Sequence, residues 1–551
     1  MDSNKQMADL LFKNITKTPD DYEQMYPKRN LEEGAVVTRF APSPTGFLHF
    51  GLFAAFIGKT ATKSTNGVFY LRIEDTDKKR EVENGVSLIV KGLNDFGIEI
   101  DEGMLSETDE KGAYGPYTQS KRKDIYQAYV KSLVEQGLAY PCFMTEEELA
   151  TIREKQESEK LLPGVYGEFA KYRDITVEEA QKRIENGDEY VVRLKSPGKE
   201  DKRIKFKDVI KGEIEMPENI LDVVLLKKDG TPTYHFAHVV DDHLMRTTHV
   251  IRGDEWISSV PIHLQLFWLC GLKPPKYAHI SPIMKEENGG KRKLSKRKDP
   301  EAAVSYYSEV GYPKGAIWEY LMTLANSNYE DWRLANPNED IDNFKFSFSK
   351  MSKAGALFDM VKLADVSKNY ICRLSAEEVY EMVTDWAKEN NKKLYKLLVD
   401  DEEYAKAIFA IERGNAKPRK DISAWTDVEN YVSYFYSELW DRKFDFPDNL
   451  SNDDMIEILE LYKQIYDENV SSDDWFPQVR DMAETIGYAK APKVYKKDPD
   501  SYKGHVGDVA GVIRVAATGR RNTPDLYEIL QVLGKDEVMK RFDEAIESLR
   551  G

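Results

Sequence analysis

The sequence predicts an α/β fold with a doubly wound parallel sheet, followed by an all-α region. From residue 35, a strand-like AVVTRF, a loop APSPTG, a helix-like FLHFGLFAAFIGKTATK and a strand-like GVFYLRI follow one another. Strand, helix and strand joined by a short crossover predict a parallel βαβ unit. Strand-like and helix-like segments continue to alternate as far as LQLFWLCGL at 264–272. From about residue 375 the apolar pattern is almost wholly helical, interrupted by prolines.

The remaining elements follow in chain order. Residues 1–34 are polar and charged with one helix-like piece, MADLLF, and are predicted to be an extension. After GVFYLRI comes an acidic turn, EDTD, and a charged stretch over about 121–160 predicts helix. The segments YVVRLK and DVVLLKKDGTPTYHFAHVV predict strands, which would belong to a unit inserted into the sheet. Ligands of such sheets bind at the carboxyl ends of strands, where APSPTG and EDTD would lie.

Composition predicts a soluble, cytoplasmic chain of several structural units. The chain has 551 residues, of which 41% are hydrophobic and 32% charged. No apolar run approaches the roughly 18 residues of a membrane span, and the first residues lack the basic-then-apolar layout of a secretory signal. We therefore expect no membrane association. Three widely separated cysteines, Cys142, Cys270 and Cys372, argue against a disulfide framework and for a reducing compartment.

The net charge of −17 would on average repel a polyanion, so nucleic-acid binding would have to use local basic patches. Five such patches occur, at 119–123, 291–298, 413–420, 490–497 and 518–521. A single patch of this kind is most often a solvated surface. Five of them on an acidic chain are harder to explain in that way.

The loop APSPTG and the helix after it have the features of an anion-binding site. Pro42 and Pro44 each fix their own backbone φ, and Gly46 permits a sharp turn into the helix. His49 falls in the first helical turn, where free N–H groups and the helix dipole favour an anion. Gly51 has no Cβ, which would let a ligand approach the backbone. A histidine beside an apolar stripe is ordinarily a core residue, but this lead-in favours a site.

The motifs resemble those of the class I glutamyl-tRNA synthetase family. APSPTGFLHFGL is similar to the family's HIGH region, and FYLRIEDTD to its next strand. KLSKR at 293–297 resembles the KMSKS loop, and TPTYHFAHVVDDHLMRTTHVIRGDEWISS the segment between the two motifs. TGRRNTPDLYEIL resembles the end of the helical anticodon-binding region. KMSKA at 350–354 is literally closer to KMSKS, but it lies past the α/β pattern, so its context favours 293–297.

The resemblance implies a Rossmann-type catalytic domain with an inserted acceptor-binding domain, followed by an all-α anticodon-binding region. The boundaries it suggests are an N-terminal extension at 1–34, the first catalytic half at 35–120, the inserted tRNA acceptor-binding domain at 121–217, the second catalytic half at 218–285, the KMSKS loop and stem-contact domain at 286–375, and the helical anticodon-binding region at 376–551.

The resemblance also implies two sets of functional residues. For ATP binding and catalysis it implies His49, Gly51 and Lys296, with Lys293 and Ser295 supporting the loop. For glutamate it implies Arg39, Ala41, Ser43, Glu74, Tyr234, His238 and Arg252. The HIGH region comprises Pro42, Ser43, Pro44, Thr45, Gly46, Phe47, Leu48, His49, Phe50, Gly51 and Leu52, and the KMSKS region comprises Lys293, Leu294, Ser295, Lys296 and Arg297.

The implied reaction activates L-glutamate with Mg-ATP, releases pyrophosphate, and transfers glutamate to the terminal adenosine of tRNA(Glu). The attacking carboxylate is already ionised at pH 7, so the first step needs positioning and charge stabilisation rather than a protein nucleophile. Arginine suits the substrate carboxylates because its planar fork binds them bidentately. Two positions depart from the family. His238 stands where asparagine is common, and Leu52 replaces the second histidine of the HIGH motif. No metal is expected in the insert, because only Cys142 remains of the zinc pattern that some relatives carry.

Three other protein classes share part of this pattern. A glutaminyl-tRNA synthetase shares the catalytic fold and motifs, but it typically carries β-barrels where this chain reads as helical. A non-catalytic tRNA-binding relative would not need His49, Gly51, Lys296, Arg39 and Arg252. A truncated tRNA-modifying paralogue would lack the long helical region. The sequence leaves open whether tRNA(Gln) is also charged, which residues read the anticodon, the role of residues 1–34, and the oligomeric state, for which a monomer is the default.

Overall fold

The computed structural model describes residues 3–44, 51–77, 82–295 and 298–551. The chain divides into two compact units. The first runs up to Tyr306 and includes Trp318–Asp359, and the second comprises Tyr307–Ile317 and Met360–Gly551. None of the described helices is both long and apolar enough to cross a membrane.

In the described part of the chain, the strands all precede residue 294. They are β1 (Val37–Phe40), β2 (Val68–Leu71), β3 (Glu102–Met104), β4 (Glu110–Lys111), β5 (Ala139–Cys142), β6 (Val191–Leu194), β7 (Arg203–Asp208), β8 (Gly212–Pro217), β9 (Val224–Leu226), β10 (His249–Gly253), β11 (Lys276–Ile280), β12 (Met284–Glu287) and β13 (Gly290–Lys293).

Twelve α-helices accompany the strands or follow them as far as residue 335 in the described part of the chain. They are α1 (Ser3–Leu11), α2 (Pro19–Met25), α3 (Gly51–Lys63), α4 (Gly85–Asp95), α5 (Lys123–Glu135), α6 (Glu146–Ser158), α7 (Val177–Glu185), α8 (Tyr234–Leu244), α9 (Val260–Leu269), α10 (Val304–Val310), α11 (Lys314–Ala325) and α12 (Tyr329–Ala335).

The second unit is helical. Its further helices are α13 (Met360–Ile371), α14 (Ala376–Asn390), α15 (Lys392–Asp400), α16 (Glu402–Ala410), α17 (Val428–Val432), α18 (Asn452–Ile465), α19 (Ser472–Thr485), α20 (Pro492–Lys497), α21 (Val506–Thr518), α22 (Leu526–Leu533) and α23 (Lys535–Arg550). One continuous apolar core joins helices from α13 to α23. All of residues 360–551 are described and none lies in a strand, so the predicted all-α region is confirmed.

The doubly wound sheet is also confirmed. Strands β1, β2 and β3 pair in parallel, and so do β10, β11 and β7. The two sets meet where the Thr248 amide donates to the Val37 carbonyl at 2.8 Å, so β10 lies beside β1. The strand order therefore reverses between β1 and β10, which is where open α/β sheets bind ligands.

Helix α3 packs against this meeting point, and its glycines permit the close approach. A Cβ on Gly58 would lie 3.0 Å from the Phe69 ring, and a Cβ on Gly51 would lie 3.0 Å from the Phe40 ring. The missing Cβ of Gly51 thus makes room for a protein side chain.

Two local predictions were wrong. YHFAHVV was expected in a strand but begins α8, because Phe236, Val240 and Leu244 recur at four-residue spacing and are all buried. The stretch 121–160 was expected to be helical throughout, but β5 separates α5 from α6. Its residues Ala139–Cys142 are all buried, which is typical of a short core strand.

The predicted N-terminal extension packs against the edge of the sheet. Arg29 forms a bidentate ion pair with Glu102 of β3, at 2.7 and 3.0 Å, and its guanidinium lies 3.9 Å from the Tyr114 ring centroid. Glu23 pairs with Arg246 at 2.7 Å, just after α8. The extension therefore ties together β3 and the end of α8.

The substitution Arg29→Ala tests this attachment. It leaves the Glu102 carboxylate, only 18% exposed, without its cation. Breaking a buried pair costs about 3 kcal/mol, so we expect amide hydrogen exchange in α2 and β3 to speed up by roughly 100-fold. Arg153→Ala removes the exposed α6 pair with Glu157 and serves as the control, with no measurable change expected. Equal exchange in both variants would show that the Arg29 pair does not hold the extension.

Candidate active site

Five of the predicted glutamate-binding residues lie at the reversal of strand order. Arg39 is near the end of β1 and Arg252 near the end of β10, and both are buried, at 6% and 7% exposed. Glu74 follows β2, while Tyr234 and His238 lie on the first two turns of α8. The Arg39 guanidinium reaches across to the Ile251 carbonyl of β10 at 3.5 Å. The structure thus places both predicted arginines on neighbouring strands.

The site has two halves, one around Arg39 and one around Arg252. The Asp242 carboxylate lies at the centre of the Arg39 half. It accepts from Arg39 Nε at 3.1 and 3.2 Å and from Arg72 Nη1 at 2.7 Å, and all three side chains are buried. Burial by itself would raise the pKa of the Asp242 carboxyl, but Arg39, Arg72 and His238 outweigh it and hold that pKa well below its ordinary value. Asp242 is therefore a carboxylate, and it fixes the direction of the Arg39 fork.

Arg72 joins Asp242 to Glu74. Its Nη2 donates to Glu74 Oε1 at 3.2 Å, and its own side chain is fully buried. Burial raises the pKa of the Glu74 carboxyl, and Arg72 and Arg39 oppose that rise. The Glu74 carboxylate is therefore stabilised in its charged form by two arginines of the protein, Arg72 and Arg39.

The neighbouring Asp241 anchors the C-terminal part of α8, the helix that also carries Asp242. It accepts from Arg122 Nε at 2.7 Å, Gln119 Nε2 at 2.9 Å and Tyr126 Oη at 2.8 Å. Neither aspartate was among the predicted site residues. The available signal was a pair of adjacent carboxylates directly after the apolar FAHVV, since such carboxylates are rarely buried without cations.

The Arg252 half is built from histidines. Arg252 Nε donates to His279 Nε2 at 3.0 Å, and His279 Nδ1 lies 2.7 Å from Asp208 Oδ2. Because arginine can only donate, His279 accepts through Nε2 and carries its proton on Nδ1, toward Asp208. His279 and Arg252 are paired residues on the adjacent strands β11 and β10.

A second histidine pair faces the other side of Arg252. Both terminal nitrogens of the guanidinium approach His263 Nδ1 at 3.3 Å, and His263 Nε2 lies 3.0 Å from His235 Nδ1. By the same reasoning, His263 accepts from Arg252 and donates to His235. The Tyr234 hydroxyl also accepts from Arg252, at 3.3 Å, and the Tyr234 ring packs 4.4 Å from that of Trp256.

The buried His238, His263 and His279 and the half-buried His235 are all neutral near pH 7. Burial, assisted by the charge of Arg252, lowers the pKa of His235 to about 4, and burial likewise lowers the pKa of His238 to about 4. Burial also lowers the pKa of His263 and of His279. The Arg252 guanidinium therefore keeps its two histidine acceptors, His263 and His279, across the physiological range.

The two motif loops are described only in part. Thr45, Gly46, Phe47, Leu48, His49 and Phe50 lie outside the described residues, as do Lys296 and Arg297. Of the rest, Ala41 and Pro42 are half-buried, Ser43 is exposed, and Pro44 and Leu52 are buried. The Pro42 carbonyl accepts from the Glu74 amide at 3.0 Å, which joins the first loop to the acidic turn.

The KMSKS-like loop begins at a hairpin. Strands β12 and β13 are antiparallel and are joined by a tight turn at Asn288 and Gly289. Both residues have positive φ values, 53° and 77°, as is typical of two-residue hairpin turns. Lys293 ends β13, and the Leu294 side chain is buried.

Asp299 organises the start of this loop. It accepts from Arg292 at 2.6 and 2.7 Å and from the Ser295 amide at 2.8 Å, and it lies 3.2 Å from Lys285 Nζ. The Arg292 guanidinium holds the pKa of the Asp299 carboxyl well below its usual range. The charge of Arg292 is thus taken up within the protein.

The competing KMSKA segment has a different environment. The Lys353 carbonyl accepts from Lys211 Nζ and Ser281 Oγ, each at 2.8 Å, while its side chain is exposed. Leu357 forms a bridge with Met284 at the start of β12. This segment supports the base of the hairpin through its backbone.

No three of the described His, Cys, Asp and Glu residues are grouped so as to hold a metal ion. The described site groups two buried guanidinium groups, the Glu74 carboxylate and the aromatic rings of Tyr234 and Trp256. Such a set fits a small ligand with two carboxylates and one ammonium group.

The neutral histidines predict a pH dependence of stability. In the unfolded chain they titrate near 6.5, whereas the pKa of folded His235 is about 4, so their contribution is complete above pH 6.5 and is lost as the pH falls toward 4. Between pH 6.5 and 5.5, His235 should lower the free energy of unfolding by about 1 kcal/mol. In urea unfolding at pH 7.5 and 5.5, His235→Gln should therefore show a drop about 1 kcal/mol smaller than that of the unaltered chain. Equal drops would show that His235 is not buried neutral.

Comparison with known proteins agrees with this geometry. Residues 35–365 match the model of the tRNA synthetases class I (E and Q) catalytic domain, and residues 500–546 match an anticodon binding domain. A glutamate–tRNA ligase of Clostridium perfringens (strain SM101 / Type A) is 54% identical over 545 residues, covering 98% of this chain and 99% of that protein. One from Acetivibrio thermocellus is 48% identical, covering 98% and 100%.

A solved structure gives the same result. The crystal structure of a glutamate tRNA ligase from Elizabethkingia meningosepticum, in complex with its amino acid, superposes with a TM-score of 0.73 at 30% identity and covers 93% of this chain and 99% of that one. The catalytic-domain model spans more than half of the 551 residues, and the relatives match nearly the full length. The chain therefore belongs to the glutamyl-tRNA synthetase family of the class I tRNA synthetases.

Proposed function

We propose that this protein is a glutamate–tRNA ligase. It activates L-glutamate with ATP to glutamyl-adenylate and pyrophosphate, then transfers glutamate to the 3′-terminal adenosine of tRNA(Glu). The observation that carries the proposal is the placement of two buried guanidinium groups, Arg39 and Arg252, on adjacent strands at the reversal of the sheet. The nearly full-length relatives named as glutamate–tRNA ligases support the same substrate.

The pocket assigns a role to each charge on glutamate. Arg39 and Arg252 bind its two carboxylates, and each is aimed by protein acceptors, Asp242 for the first and His279 for the second. Glu74 binds the ammonium, whose charge would favour the ionised carboxylate against the effect of burial. Tyr234 forms the wall beside Arg252, and Ala41 and Ser43 line the loop that leads to the site.

For ATP we propose the residues that the family resemblance implies. His49, Gly51 and Lys296 contact the nucleotide, and Lys293 and Ser295 shape the loop that carries Lys296. The HIGH region and the KMSKS region stabilise the charge that builds on the α-phosphate and on the departing pyrophosphate. Mg²⁺ enters as part of the ATP substrate, and no zinc is predicted.

The tRNA is bound along the whole chain. We assign acceptor-end binding to the insert at 121–217, stem contacts to 286–375 and anticodon binding to the helical region at 376–551, with 35–120 and 218–285 forming the catalytic domain. A match to an anticodon binding domain at residues 500–546 supports the last assignment. We further propose a cytoplasmic monomer, with tRNA(Gln) as an open second substrate.

ATP–pyrophosphate exchange tests the substrate directly. With glutamate, exchange should appear only when tRNA(Glu) is present, as in the family that the chain belongs to. Glutamine is the matched control, because it lacks one charge while keeping nearly the same shape, and a site built for that charge should reject it. Exchange driven by glutamine and not by glutamate would refute the proposal and favour a glutaminyl-tRNA synthetase.

Two lysine variants test the choice of loop. Lys296→Ala should slow adenylate formation by about 10²–10³-fold, the usual cost of removing one donor to a developing charge, while binding of tRNA(Glu) stays within about twofold. Lys353→Ala is the matched control and should leave both quantities unchanged, because position 353 uses its backbone carbonyl and exposes its side chain. The opposite pair of results would assign catalysis to 350–354.

A further inference from the structure

Two side chains bridge the Arg39 and Arg252 halves of the site. His238, fully buried on α8, lies with Nδ1 2.7 Å from Asp242 Oδ2 and with Nε2 3.1 Å from the Tyr277 hydroxyl. The contact with Asp242 joins residues one helical turn apart and is electrostatic rather than a well-aligned hydrogen bond. Tyr277, on β11, places its ring 4.9 Å from the Arg252 guanidinium carbon.

The protonation states give this bridge a direction. Asp242 is a carboxylate, so the neutral His238 carries its proton on Nδ1 and presents Nε2 as an acceptor. Burial raises the pKa of the Tyr277 phenol, so its hydroxyl keeps the proton that it donates to Nε2. The order of contacts is therefore Arg39, Asp242, His238, Tyr277 and Arg252.

We propose that His238 and Tyr277 are positioning residues that couple Arg39 to Arg252, so that the two guanidinium groups bind the two carboxylates of one glutamate as a unit. The inference rests on the proposed function. It also changes the role expected for His238, which had been predicted to contact glutamate. Both of its ring nitrogens face protein groups and its side chain has no exposed surface, so it acts through Asp242 and Tyr277.

The coupling bears on substrate selection. Glutamine presents one carboxylate and one neutral amide, so it gains from only one guanidinium. A bridge that sets the spacing of the two arginines favours the ligand with two charges at that spacing. Loosening the bridge should weaken glutamate binding more than glutamine binding.

Four variants separate the two contacts of His238. Tyr277→Phe keeps the ring beside Arg252 and removes only the hydroxyl. His238→Asn keeps an amide near the position of Nδ1, toward Asp242, and loses the atom that faces Tyr277. His238→Gln does the reverse, reaching toward Tyr277 and losing Asp242. The double variant His238→Asn with Tyr277→Phe completes a double-mutant cycle.

Steady-state exchange kinetics with tRNA(Glu) give the readout. Tyr277→Phe and His238→Asn should each raise the KM for glutamate about five- to tenfold, the cost of one buried hydrogen bond, with the KM for ATP within about twofold. The double variant should be no worse than either single variant, because both remove the same contact. The preference for glutamate over glutamine should fall in parallel. His238→Gln should raise the KM for glutamate further, because Asp242 also aims Arg39.

Tyr114→Phe is the matched control. It removes a buried hydroxyl that donates to the Pro27 carbonyl at 2.9 Å, in the same unit and away from both arginines, so the KM for glutamate should not change. An unchanged KM in Tyr277→Phe and His238→Asn, or purely additive losses in the double variant, would overturn the coupling. If exchange runs on glutamine alone, the proposed function fails instead, and the same cycle measured with glutamine decides the coupling on its own.

Discussion

The site depends on one constraint, which is that a carboxylate sealed from water must be matched by cations. Asp242 meets it with Arg39 and Arg72, which come from β1 and from the residue after β2, on two neighbouring strands. Removing either arginine would leave the buried carboxylate with a single cation and weaken its compensation, so the arrangement defines the position of both arginines. Burial of one acidic side chain thereby determines where the functional guanidinium of Arg39 can point.

Much of the architecture could be predicted from the chain alone, because it is written in local patterns. The order of strand, proline-rich loop, helix and strand from residue 35 predicted the parallel unit, and the helical period after 375 predicted the second unit. Arg39, Glu74 and Arg252 were implied by the resemblance of their motifs to the family, and each stands at or near the end of a strand. TYHFAHVV was misassigned because a short apolar run satisfies both the strand and the helix pattern until its length is known.

The partners of the arginines could not be found in this way. Asp242 and Tyr277 lie 203 and 25 positions from the arginines they approach, and no periodicity links them. His279 and Asp208 meet only because β11 pairs with both β10 and β7. The same holds for Asp299, which takes up charge from the basic loop that stood out in an acidic sequence. The arginines lie in local sequence motifs and could be predicted. The residues that position them are brought close only by tertiary contacts and could not.

The pairing of β1 with β10 has a consequence for synthesis on the ribosome. The Val37 carbonyl and the Thr248 amide are 211 residues apart, so the first strand leaves the exit tunnel long before its neighbour exists. At ordinary translation speeds that interval lasts roughly 10–40 s, during which one edge of β1 has no partner. Strand β2 pairs along the opposite edge of β1, so the nascent chain must shield the free edge in another way, either through α3, which is made next and packs against β1, or through a chaperone that holds emerging strands.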